Sequence, residues 1–205
     1  MNGRPLNSEG LCRLCAAGVT TFDTTFSCGD YDGALRDLIH LYKYHRVRPL
    51  SVHFGRLLAR GFPRDQRFDA IVPVPQHWMK YLMRGFDHIG KLAAEVSRRT
   101  GVPVLRALRK IRHTPAQAGL TRAKRRKNVT RAFAARPEAD VRGLNLLLLD
   151  DVFTTGATAN AAAAALKKAG AAHVSILTLA RADRYGDWRA GRPARMNRSF
   201  EGELE

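Results

Sequence analysis

The sequence predicts an α/β protein with a central, mainly parallel sheet flanked by helices. Three observations point there. Phe68–Pro75, Leu146–Leu149 and His173–Ala180 are short and largely apolar, as suits parallel strands buried on both faces. Stretches with apolar residues at helical spacing lie between them. At the end of the Leu146–Leu149 run stand two carboxylates, where open α/β sheets place their ligand crevices.

Each element has its own signal. Residues 1–30 read as a short N-terminal head, in which Cys12-Arg-Leu-Cys15 has the spacing of a zinc knuckle. Cys28 follows without a near partner, so Cys12, Cys15 and Cys28 form a candidate Zn²⁺ site whose fourth ligand would be His40, His45 or a second chain. The alternative is three ordinary thiols. Asp30–His45 reads as an amphipathic helix, with Leu35, Leu38, Ile39 and Tyr42 on one face, and a second helix covers His53–Arg60. The Phe68–Pro75 strand must stop at its prolines, which cannot donate to a sheet ladder. Arg84-Gly85-Phe86 opens a helix with Phe86, Ile89, Leu92, Ala93 and Val96 on one face, and Val102–Leu105 is a short strand. Ala159–Ala169 is an alanine-rich helix ended by Gly170. Residues 182–205 read as a loose polar tail.

The most informative stretch runs Leu146–Leu149, Asp150-Asp151-Val-Phe-Thr154-Thr155-Gly156-Ala157-Thr158, then helix. Backbone N–H groups of the threonine loop can converge on an anion, helped by their hydroxyls and the positive end of the helix dipole. The carboxylates offer oxygens for sugar hydroxyls or a hydrated metal. A ribose phosphate satisfies both. No Gly-x-x-x-x-Gly-Lys-Ser/Thr and no Gly-x-Gly-x-x-Gly occurs, so neither nucleotide-binding fingerprint applies.

This stretch resembles the ribose-phosphate loop of type I phosphoribosyltransferases, and among them the ComF family of bacterial competence proteins. Tyr31-Asp32-Gly33, Lys43-Tyr44, Ile71–Pro75, Arg84-Gly85-Phe86, Thr114–Gln117, Leu120–Arg122, Asn128-Val129 and Ala132-Phe133 follow in the same order. The resemblance implies the type I phosphoribosyltransferase fold over 31–181, with the N-terminal head as a small hood. It implies binding of phosphoribosyl pyrophosphate with Mg²⁺ and transfer of the phosphoribosyl group to an acceptor it does not name. Asp150 and Asp151 would serve the ribose hydroxyls and the hydrated metal. Thr154, Thr155, Gly156, Ala157 and Thr158 would bind the 5-phosphate. Val74, Pro75, Gln76, His77 and Arg84 would meet the pyrophosphate, joined by Lys43, which a helix dipole alone could also place at its helix end. Gln117, Arg122 and Arg125 resemble the mobile lid of the amidophosphoribosyltransferases. Thr154 stands where 6-oxopurine salvage enzymes carry Asp, which counts against that substrate class. Family members usually carry Asn where this chain has Asp87.

The resemblance also leaves open a non-catalytic role in single-stranded DNA import during natural transformation, alongside the DNA-import machinery. Composition bears on that choice. The 205 residues carry a formal charge of +17, and no acid lies between Glu95 and Glu138 while arginines and lysines crowd there. Such a segment attracts polyanions or simply solubilises the surface. It lacks the interleaved aromatics of a base-stacking groove. With no visible signal peptide and no apolar run of membrane-spanning length, the expected location is the cytoplasm.

Overall fold

The structure is a computed structural model and describes residues 20–45, 47–76, 85–111 and 132–182. Its elements, in order, are β1 (Thr24–Asp30), α1 (Gly33–Tyr44), α2 (Leu50–Arg60), β2 (Ala70–Pro73), α3 (His88–Thr100), β3 (Leu108–Lys110), β4 (Phe133–Ala135), β5 (Asn145–Phe153), α4 (Ala157–Lys168) and β6 (His173–Arg181). β1, β6, β5 and β2 form one parallel sheet in that order. Val104 adds a single parallel bridge to Ile71, all that forms of the strand expected over Val102–Leu105. β3 and β4 pair antiparallel as a separate two-stranded sheet.

The two apolar faces of β5 serve two cores, because successive side chains of a strand point to opposite sides. Leu146 and Leu148 pack with Phe133, Leu108 and the buried alanines of α4. Leu147 and Leu149 pack with Ile39, Tyr42, Phe54, Leu58, Ile89 and Leu92 from α1, α2 and α3. All four leucines are fully buried. The alanines of α4 let that helix lie close to the sheet. α2 and α3 also cross closely: a Cβ on Gly55 would stand 2.3 Å from Glu95 Cβ.

Several boundaries differ from the sequence reading. Thr24–Asp30, assigned there to the head, is the edge strand of the main sheet, so Cys28 belongs to the sheet. β5 continues through Asp150 and Asp151 to Phe153, because polar side chains do not interrupt a backbone ladder; Asp150 pairs with Thr178 and Val152 with Ala180. α3 starts at His88 rather than Phe86, since Asp87 caps it by accepting from Gly90 N at 2.9 Å. Asp87 also pairs with Arg106 at 3.2 Å, so the carboxylate has a structural use at that turn. On α1 the buried stripe is narrower than expected: Ile39 and Tyr42 are fully buried, whereas Leu38 is 39% exposed.

Candidate functional site

The site forms at the carboxyl end of β5. Asp150 opens it on the α4 side, in a pocket shared with Phe153, Thr154, Gly156, Thr158 and Thr178. Thr154 and Thr155 are exposed, and Gly156 leads directly into α4. Gly156 has φ +74°, a left-handed backbone that favours glycine. A Cβ there would also stand 2.7 Å from Phe153 Cζ. The loop is thus folded tightly over the Phe153 ring, whose other contacts include the Arg181 guanidinium, 5.0 Å from its centroid. Thr155 Oγ1 accepts from Ala157 N at 3.4 Å. The first-turn N–H groups of a helix have no intrahelical acceptors, so this end of α4 offers donors to an anion.

Asp151 turns the other way. Its Oδ1 lies 2.8 Å from Lys43 Nζ, at the end of α1, and its Oδ2 lies 2.8 Å from His88 Nε2, at the start of α3. A carboxylate only accepts, so Nε2 donates. The Gln76 side-chain amide also lies against the His88 ring. Tyr42 Oη donates to the His88 carbonyl at 2.8 Å, and the Tyr42 and Phe86 rings meet the imidazole edge-on. His88 and Tyr42 have no exposed surface.

These surroundings separate the two acids. Burial, then the neighbouring charge of Asp151, pushes the Asp150 carboxyl up to about 7. Burial pushes Asp151 up as well, but Lys43 and His88 together outweigh it and hold that carboxyl well below its usual range.

Of the residues singled out in the sequence, the structure brings together Lys43, Asp150, Asp151 and Thr154–Thr158, with Val74 and Pro75 following β2 beside β5. Val74 N donates to Leu149 O at 3.0 Å, which ties that loop to the site strand. Arg84, His77, the lid residues Gln117, Arg122 and Arg125, and Cys12 and Cys15 lie outside the described residues, as does the tail beyond Ala182. Cys28 donates weakly to the Leu57 carbonyl at 3.5 Å, and burial pushes its thiol up to about 12. Among the described residues no group of three or more His, Cys, Asp or Glu could hold a metal ion. His88 went unnoticed in the sequence. The available signal was its place four residues before Leu92 and eight before Val96, a polar residue on a buried stripe.

The family model of the phosphoribosyl transferase domain matches residues 82–192. Competence protein F of Haemophilus influenzae is 30% identical over 179 residues, 83% of this chain and 78% of that protein. The chain is a member of the ComF family. Other relatives agree with this. DNA utilization protein YhgH of Escherichia coli K12 is 31% identical over 83% of this chain and 77% of its own length. Competence protein ComFC of Bacillus subtilis is 25% identical over 87% of this chain and 75% of its own. The parallel sheet flanked by helices is the phosphoribosyltransferase architecture expected of a ComF protein. No helix among the described residues is long and apolar enough to cross a membrane.

Proposed function

We propose that this ComF protein binds phosphoribosyl pyrophosphate with Mg²⁺ and transfers the phosphoribosyl group to an acceptor. The observation that carries this reading is the pocket that Asp150 lines together with Thr154, Gly156 and Thr158 at the N-terminus of α4. Backbone donors and hydroxyls of Thr154–Thr158 hold the 5-phosphate. Asp150 and Asp151 accept from the ribose hydroxyls. Lys43, with Val74 and Pro75, faces the pyrophosphate, and the family resemblance adds Arg84.

Mg²⁺ fits this donor set. The charged side chain of the pocket lining is a carboxylate, Asp150, with threonines beside it, which suits a hard cation that keeps most of its waters. Asp150 is also a half-buried acid, and among the described residues the pocket lining holds no cation beside it. When bound, Mg²⁺ supplies charge neutralisation for the pyrophosphate leaving group. The chain's own residues contribute positioning and fixed charge, which dominate such transfers. The test is a calorimetric titration of phosphoribosyl pyrophosphate with Mg²⁺ into wild type and Asp150→Asn/Asp151→Asn. Saturable binding that the double change abolishes supports the reading, and no binding to wild type overturns it.

The formal charge of +17 and the names of the relatives favour a second reading, contact with single-stranded DNA during its import. Arg106 and Arg109 present exposed cations at β3. Such binding should weaken with salt, with a log–log slope of about −0.7 per phosphate contact, and should survive Asp151→Asn. Salt-insensitive binding would exclude it. Both readings place the chain in the cytoplasm.

A further inference from the structure

We infer that His88 is a positioning residue for the ligand site: it fixes Asp151 through Oδ2, leaving Oδ1 as the oxygen that a ribose hydroxyl takes over from Lys43. The inference rests on the proposed binding of phosphoribosyl pyrophosphate and names a residue that the loop motif does not contain.

The geometry supports each part. His88 is held from three directions. Its backbone carbonyl accepts from Tyr42, its ring is packed edge-on by Tyr42 and Phe86, and it opens α3 directly after the Asp87 cap. A ring so confined cannot follow a moving carboxylate, so it dictates where Oδ2 sits. Lys43 is held differently. It sits at the last turn of α1 on a flexible four-carbon stem, and its side chain retains 13% exposure. Of the two partners of Asp151, Lys43 is therefore the one able to leave. A hydroxyl donating to Oδ1 displaces the ammonium, and the freed cation stands beside the same ligand, available to its pyrophosphate. One exchange of partners thus serves both ends of the donor molecule, provided Asp151 does not swing when Lys43 departs.

The experiment compares wild type, His88→Leu and His88→Gln by calorimetry with phosphoribosyl pyrophosphate and Mg²⁺, with thermal unfolding measured in parallel. Leu fills the space without a donor; Gln restores one. The expected result is that His88→Leu weakens binding roughly ten- to a hundredfold, as for loss of an outer hydrogen-bond partner, while His88→Gln recovers most of it at a similar melting temperature. Equal binding by His88→Leu and wild type overturns the inference and leaves the proposed function standing. Equal loss in both variants overturns it too, because His88 would then matter for packing alone. Failure of wild type to bind overturns the proposed function, and the inference with it. A ligand-free control uses proton NMR: wild type should show a slowly exchanging imidazole N–H that disappears in Asp151→Ala, and its absence from wild type overturns the placement of Oδ2.

Discussion

Asp150 and Asp151, adjacent in the chain, face opposite sides of β5: Asp150 opens toward the threonine loop, and Asp151 lies between Lys43 and His88. Alternation along the strand makes this unavoidable. The acid pair is two sites of different character rather than one doubled carboxylate.

Single substitutions should therefore act in opposite directions. Asp151→Asn leaves Lys43 without its partner on a largely buried stem. We expect a loss of about 2–3 kcal/mol, somewhat below that for a fully buried pair. Asp150→Asn removes a poorly hydrated charge set beside that of Asp151 and should stabilise at pH 8, by about 1–2 kcal/mol. Urea unfolding of the two variants checks both. Equal destabilisation would contradict the separation of roles.

The effect of Asp150 should depend on pH. Its folded carboxyl is raised to about 7, above the ordinary unfolded value. Between about pH 4 and 7 the unfolded chain has released this proton and the folded chain retains it, so this contribution to stability falls as pH rises through that window. Asp151 works in reverse: its lowered value contributes stability above the unfolded value, lost as acid protonates it. The difference in stability between Asp150→Asn and wild type should therefore grow from pH 5 to pH 8. A flat difference would remove the raised carboxyl from the account.

Gly156→Ala should lower the melting temperature by about 2–8 °C, corresponding to roughly 1–2 kcal/mol for a left-handed alanine in a domain of this size. The new methyl meets Phe153, so adding Phe153→Leu should recover part of the loss. Differential scanning calorimetry of the single and double variants decides. Simple additivity would show that the ring is not the obstacle.

Tyr42→Phe should cost about 1 kcal/mol, since it deletes one buried hydrogen bond to the His88 carbonyl. If His88 is held mainly through this bond, ligand affinity should fall as well. Denaturation and calorimetry on the same sample separate the two effects.

Much of the site was readable from sequence because its backbone frame is simple. Leu146–Leu149 could hardly be anything but a buried strand, and a glycine before an alanine-rich run marks a turn into a helix. What sequence could not give was direction. The aspartates ended the apolar run and so seemed to end the strand, whereas the ladder runs on beneath them. The polar residues of Thr24–Asp30 hid an edge strand that needs only partial burial. The buried stripe of α3 could have flagged His88 as an inward-facing polar residue, but not its partner, which lies 63 residues away.

The strand order carries a consequence for how the chain acquires its shape during synthesis. The first strand borders the last, so Ser27 waits for Thr178, 151 residues downstream, before their hydroxyls can meet at 2.9 Å. The two central strands are also the last two in sequence among the described residues. A nascent chain made only as far as β4 has the edge strands of this sheet but not its middle, and their pairings are non-local, which favours slow closure. A chain arrested before His173 would expose the apolar faces of β5, an obvious target for chaperones and proteases.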